Sequence, residues 1–123
     1  MNIEQLYEYC RTRIGAMEDQ PFGDQVLVFK VGGKMFILFN LDRLPLSINL
    51  KCDPARAQEL RATYEAVGPG YHMNKKHWNT VLPNLDLPDD ELFALIDHSY
   101  DLVVASLKKA DRAALGLEEK EPP

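Results

Sequence analysis

Side chains able to do chemistry are densest in residues 70–80, Gly-Tyr-His-Met-Asn-Lys-Lys-His-Trp-Asn-Thr. Two aromatic rings, two imidazoles, two amides and two lysines fall within these eleven residues. Lysines beside exposed rings are the ingredients of single-stranded nucleic-acid binding: charge follows the phosphate backbone while rings stack on bases. Lys30, Lys34 and Lys51 add to that surface if their strands adjoin it. The segment reads equally as a structural hairpin. Tyr71, Met73 and Trp78 would then be core, and Lys75, Lys76 and His77 would solvate a turn.

Other chemistries find less support. His72 and His77 stand five apart across a turn, with no Cys or carboxylate nearby to complete a metal shell, so no metal and no cofactor is expected. Cys10 and Cys52 lie far apart without a CxxC and read as small buried hydrophobes. A dyad of Cys52 with a histidine would need the fold to join them. Asp97 and His98 are neighbours on a helix, so their side chains diverge. Gly32-Gly33-Lys34 lacks the spacing and following helix of a phosphate loop and reads as a hairpin turn. No catalytic residue is therefore assigned.

The chain that must carry this segment has 123 residues, enough for one domain with a core of its own. Its net charge of −5 argues against a general polyanion binder. The charge is uneven, however. Residues 26–88 carry 8 basic and 5 acidic side chains, whereas residues 1–25 and 89–123 are net negative, so a local basic surface is compatible with the whole. No apolar run is long enough to span a bilayer and no secretory signal is visible, so a cytoplasmic protein without a membrane partner is expected.

Residues 2–17 have helical apolar spacing at Ile3, Leu6, Tyr7, Cys10, Ile14 and Met17, with Asn2 and Gln5 set for a capping box. Strands follow at Val26–Val31, Met35–Leu41 and Leu46–Cys52, the first two joined through Gly32-Gly33 and the next two through an Asp42-Arg43 turn. Asp53 and Pro54 open a second helix, whose stripe Ala57, Leu60, Tyr64 and Val67 ends at Gly68-Pro69. Tyr71–Met73 and Trp78–Leu82 read as strands around a turn at 74–77. Pro88 opens a third helix along Leu92, Leu95, Ile96, Ser99, Leu102, Val103 and Leu107. The order α-β-β-β-α-β-β-α implies an α+β fold, an antiparallel sheet of about five strands with helices packed on one face. Residues 1–115 form the single domain, and 116–123 an acidic, proline-ended tail expected to fray.

One feature departs from that scheme. The third strand alternates cleanly, but the first two are apolar on both faces, with Met35, Ile37 and Phe39 opposing Phe36 and Leu38. Either loops and the C-terminal segment cover the second face, or it receives a protein partner or a second copy of the chain.

The chain resembles the MmcQ/YjbR family of small bacterial proteins. The likeness runs through Pro21-Phe22-Gly23, Val28–Phe36, Leu50-Lys51-Cys52, Gly70–Lys75, His77–Val81, Leu95-Ile96 and Ser99–Val103. It implies a CyaY-like (frataxin-like) fold and a DNA-binding label. The matching polar positions are Lys30, Lys34, Lys51, His72, Asn74, Lys75, His77, Trp78 and Asn79, to which Lys76 is added as the neighbour of Lys75. Frataxin relatives carry an acidic ridge on their first helix and strand. Here Glu4, Glu8, Glu18, Asp19 and Asp24 are available, but the strand read as the first, VLVFKV, has no carboxylate. The leading expectation is a non-enzymatic module binding DNA or single-stranded nucleic acid through a basic-aromatic surface. The alternative is a protein-interaction or dimerising module using the apolar second face. An enzyme built on the histidine hairpin ranks third.

Overall fold

A computed structural model describes residues 1–42, 44–70 and 73–117. The turn residue Arg43, the candidate residues Tyr71 and His72, and the tail from 118 onward lie outside the described residues.

Asn2 caps α1 (Ile3–Arg11) as its sequence requires. Its side chain accepts the Gln5 N–H at 2.9 Å, and the Gln5 side chain accepts the Asn2 N–H at 2.9 Å. The helix stops at Arg11, short of the expected Met17. Gly15, with φ of 75°, turns the chain, and Met17–Asp19 becomes a strand, β1, instead of helix. Three exposed residues are too few to show an alternation, so this element was not foreseen.

Strands β2 (Val26–Val31), β3 (Lys34–Asn40) and β4 (Ser47–Lys51) follow, then α2 (Pro54–Thr63), β5 (Val67–Pro69), β6 (Trp78–Val81), α3 (Asp89–Ser106) and α4 (Lys109–Ala114). The sheet thus has six strands, not five, in the order β1-β2-β3-β4-β6-β5, every pair antiparallel. Leu6 and Cys10 of α1, Ala57 and Leu60 of α2, and Leu92, Leu95, Ile96 and Val103 of α3 bury one sheet face, against Phe29, Phe39, Ile48, Leu50 and Val81. The fold is α+β with these three helices on that face. Tyr64 and Leu102, expected in the core, are only half-buried, and Tyr100 takes an inner position.

α2 ends at Thr63, so Val67 and Gly68 are strand residues and not its last turn. The cause is local. The Asp86 carboxylate accepts the Glu65 N–H at 2.7 Å and the Ala66 N–H at 2.8 Å, which draws those donors out of a helical ladder.

The doubly apolar character of β3 is explained by a bulge. Phe29 pairs with Ile37 but Lys30 pairs with Met35, leaving Phe36 as the extra residue. Phe36 and Ile37 therefore both enter the helix-side core, where Phe36 meets Tyr100 edge-on at 5.3 Å. Ser99 of α3 closes the irregularity: its hydroxyl donates to the Phe36 carbonyl at 2.5 Å and accepts the Lys51 N–H at 2.9 Å. The expected opposition of Phe36 to Ile37 does not occur, and the second face is less apolar than its sequence suggested.

Candidate nucleic-acid interface

In a strand, successive side chains alternate between faces, so the register assigns each candidate to a side. Lys51 pairs with Trp78 across β4 and β6. Their neighbours Leu50 and Val81 belong to the core, and Lys51 and Trp78, both half-buried, occupy the opposite, open face. Met17 pairs with Lys30, and Lys30 with Met35, on that same face. The ends of β2, β4 and β5 and the starts of β3 and β6 meet at one end of the sheet. Lys30 and Lys51, which are far apart in sequence, so join the 74–78 turn at that end. The open face is not bare at its centre: the Val28–Leu38 pair is buried, as are Ser47 and Asn49, and the polar groups beside it bond to one another, Asn40 Nδ2 donating to Ser47 Oγ at 2.9 Å and Thr80 Oγ1 to Asn49 Oδ1 at 2.7 Å.

The ten candidates divide by what holds them. Lys30 Nζ donates to Asp19 Oδ2 at 3.0 Å. That bond and the Gln20 N–H hold the Asp19 carboxyl below its usual range. Lys34 lies off the open face, with its Nζ on the carbonyl and hydroxyl of Ser106 at 3.3 and 3.2 Å, where the negative end of α3 favours a cation. Asn79 is 2% exposed on the core side and is no surface contact. Asn74 builds the turn: its side chain accepts the Lys76 N–H at 2.9 Å, and its carbonyl the His77 and Trp78 N–H groups at 3.2 and 2.9 Å. The His77 carbonyl accepts the Cys52 N–H at 2.8 Å, joining the turn to the end of β4. Lys75 and Lys76 are exposed on that turn, and Trp78 is half-buried beside it. His72 lies outside the described residues.

Sequence reasoning missed Arg61. From α2 its Nε donates to Asn79 Oδ1 at 2.7 Å, and its Nη2 to the Trp78 carbonyl at 3.2 Å and to the Lys75 carbonyl. Only the placement of α2 behind the β5–β6 hairpin could have revealed it.

The thiols do not suit nucleophilic work. Burial pushes Cys10 up to about 12 and also raises Cys52, away from the thiolate a Cys–His dyad uses. His98 Nε2 accepts the Asp53 N–H at 3.1 Å, and burial together with nearby Arg56 lowers its pKa. The premise that the first strand lacks carboxylates is corrected, because β1 carries Glu18 and Asp19. Glu18 accepts the Tyr7 hydroxyl at 2.9 Å, and Asp19 is held by Lys30. Among the described residues, no three His, Cys, Asp or Glu side chains group so as to hold a metal ion. No described helix is long and apolar enough to cross a membrane.

The YjbR family model matches residues 13–102, a stretch that takes in every candidate from Lys30 to Asn79. The chain belongs to the YjbR family. It is 45% identical over 92 residues to the uncharacterized protein YbdF of Escherichia coli O157:H7, covering 75% of each. The uncharacterized protein YjbR of Escherichia coli (strain K12) is 31% identical over 115 residues, 94% of this chain and 98% of that one. Among solved structures, Deinococcus radiodurans protein DR2400, a DUF419 domain, matches with a TM-score of 0.89 and 39% identity over 95% of this chain and 89% of its own. Family membership thus carries the fold, with β1 through most of α3 inside the matched stretch.

Proposed function

We propose that the chain is a non-enzymatic binding module for single-stranded nucleic acid, received on the open sheet face around Lys51 and Trp78 and on the adjoining turn at Lys75 and Lys76. The observation that carries this reading is the cross-strand pairing of Lys51 with Trp78 beside two exposed lysines. A ring and cations on one surface give a base something to stack on and phosphates something to pair with. A duplex hides its base faces, so single strands are preferred.

The available charge sets the strength. Asp19 engages Lys30 and Ser106 engages Lys34, while the Lys75 Nζ meets the Gly70 carbonyl at the longer distance of 3.4 Å, so Lys51, Lys76 and, by giving up that contact, Lys75 are the principal phosphate partners. About three contacts to a single strand give a slope of log affinity against log salt near −2. The test is titration with oligonucleotides at low salt, read by fluorescence of the single tryptophan. Quenching of Trp78 with that slope supports the reading. Absence of binding to single- and double-stranded DNA and RNA at about 50 mM salt and 100 μM protein overturns it, at a level where even weak non-specific binding registers.

A second reading, a protein-interaction or self-associating module, draws support from exposed apolar side chains. Met17, at 71% exposure, lies at one end of the Lys30–Met35 row, and Leu44, at 98%, tops the β3–β4 connection. A mass that rises with concentration would favour it.

A further inference from the structure

We propose that Arg61 is the positioning residue of this surface: from behind the sheet, its guanidinium fixes the turn that presents Lys75 and Trp78. The inference rests on the binding reading above, but its first measurement needs no ligand.

The β5–β6 hairpin has only a short ladder of its own, three paired positions from Val67↔Val81 to Pro69↔Asn79. β6 is secured on its other edge by β4, from Ile48↔Val81 to Lys51↔Trp78, but β5 is an edge strand and the 73–77 turn lies outside the ladder. Arg61 ties that turn down. Its Nε holds the side-chain oxygen of Asn79, and its Nη2 holds the main-chain carbonyls of Lys75 and Trp78. One planar fork thereby ties three residues of the hairpin to α2. A lysine, with a single compact ammonium on a flexible stem, cannot reproduce that planar geometry. Asn79, a candidate for the ligand, is instead the buried acceptor through which Arg61 acts.

A second set of contacts holds the same stretch of backbone. Gly70 N–H donates to the Trp78 carbonyl at 2.9 Å, and Lys75 Nζ reaches the Gly70 carbonyl at 3.4 Å. A Cβ at Gly70 would meet Trp78 Cβ at 2.8 Å and the Trp78 carbonyl at 2.9 Å, so only glycine lets the strands approach this closely. The backbone beneath Trp78 is clamped by Arg61 from α2 and by Gly70 from the neighbouring strand. Fixing this backbone at folding removes an ordering cost that would otherwise fall on binding.

The test uses Arg61→Ala, Arg61→Lys and Gly70→Ala in the full chain, each checked for retained far-ultraviolet circular dichroism. In ligand-free protein, acrylamide should quench Trp78 more readily in both arginine variants than in the wild type. With a single-stranded thymidine oligonucleotide as probe, both should lose affinity about tenfold, with the salt slope unchanged, because Arg61 meets main chain and an amide and not phosphate. Gly70→Ala should lower affinity with Arg61 intact. Unchanged quenching in Arg61→Lys overturns the proposal. So does a slope flattened by about 0.7, since that marks Arg61 as a phosphate contact itself. If Arg61→Ala fails to fold, Arg61→Lys and Gly70→Ala carry the test. If the wild type binds no oligonucleotide, the binding reading fails, and the quenching comparison alone decides whether Arg61 positions Trp78.

Discussion

Two hairpin turns share one end of the sheet and differ in what becomes of their lysines. The β2–β3 turn is Gly32-Gly33, both with positive φ, the geometry that suits a two-residue hairpin. Its flanking lysines are engaged, Lys30 by Asp19 and Lys34 by the end of α3. The β5–β6 turn is held mainly through main-chain groups by Asn74 and Arg61, so its structure makes less demand on its lysine side chains: Lys75 Nζ has a contact to the Gly70 carbonyl at 3.4 Å, and Lys76 stands exposed. A turn stabilised through backbone leaves its charges available, whereas a turn whose lysines are themselves the ties does not. Counting lysines in sequence cannot separate the two cases.

The largest expected effect concerns what β2, β3 and β4 share. α3 lies under β2, β3 and β4, and Leu95 and Ile96 are buried there. Leu95→Ala or Ile96→Ala should cost about 2–5 kcal/mol in urea unfolding, from lost burial and the cavity left behind. A change below about 0.5 kcal/mol, the level of an ordinary surface substitution, would contradict α3 as the common floor.

Ser99 comes next. It satisfies the Phe36 carbonyl at the bulge and the Lys51 N–H at the end of β4. Ser99→Ala strands both, and leaving buried groups unpaired costs about 1–3 kcal/mol. The loss should appear in denaturant midpoints, with faster amide exchange at Lys51. Equal protection at Lys51 in the variant would show that the hydroxyl is not its partner.

These two residues also mark how far the sequence is readable. The third helix was legible because apolar residues recur over five turns, and the Asn2–Gln5 cap because its chemistry is local. Lys51 and Trp78 fell on one surface as soon as their strands adjoined. Ser99 looked like one more position on an apolar stripe, and its role appears only when α3 meets the bulge. β1 was invisible because its three exposed polar residues match no period, yet it delivers the Asp19 that engages Lys30. A strict two-residue period assumes an unbroken ladder, so it turns the bulge at Phe36 into a second apolar face. Arg61 was missed for the same kind of reason: its three partners lie 14 to 18 residues away in sequence.

The contrast between the turns can be broken directly with charge. Lys75→Glu with Lys76→Glu should abolish oligonucleotide binding while shifting stability by less than about 0.5 kcal/mol, because both are exposed turn positions. Lys34→Gln should leave binding nearly intact, since its ammonium is already on Ser106. Equal losses in the two variants would mean that net charge, and not the presentation of the second turn, governs the interaction.

The smallest effect sharpens the contrast by converting the first turn toward the second. Asp19→Asn removes the carboxylate that holds Lys30 but keeps the shape of β1. Lys30 is then a further cation on the open face, in the row with Met17 and Met35. One more phosphate contact to a single strand should steepen the salt slope by about 0.7, from near −2 to near −3. Acid should act in the same direction on the wild type. The Asp19 pKa is depressed in the folded protein, so its pairing with Lys30 is present above the unfolded pKa and is lost as pH falls through the lower folded value. The accompanying loss of stability is small because the pair is exposed. Nuclear magnetic resonance titration of the Asp19 carboxyl, with and without Lys30→Ala, checks the cause: the substitution should raise the Asp19 pKa toward the ordinary aspartate range. A slope that Asp19→Asn leaves unchanged would place Lys30 outside the binding surface and confine that surface to β4, β6 and the turn that Arg61 holds.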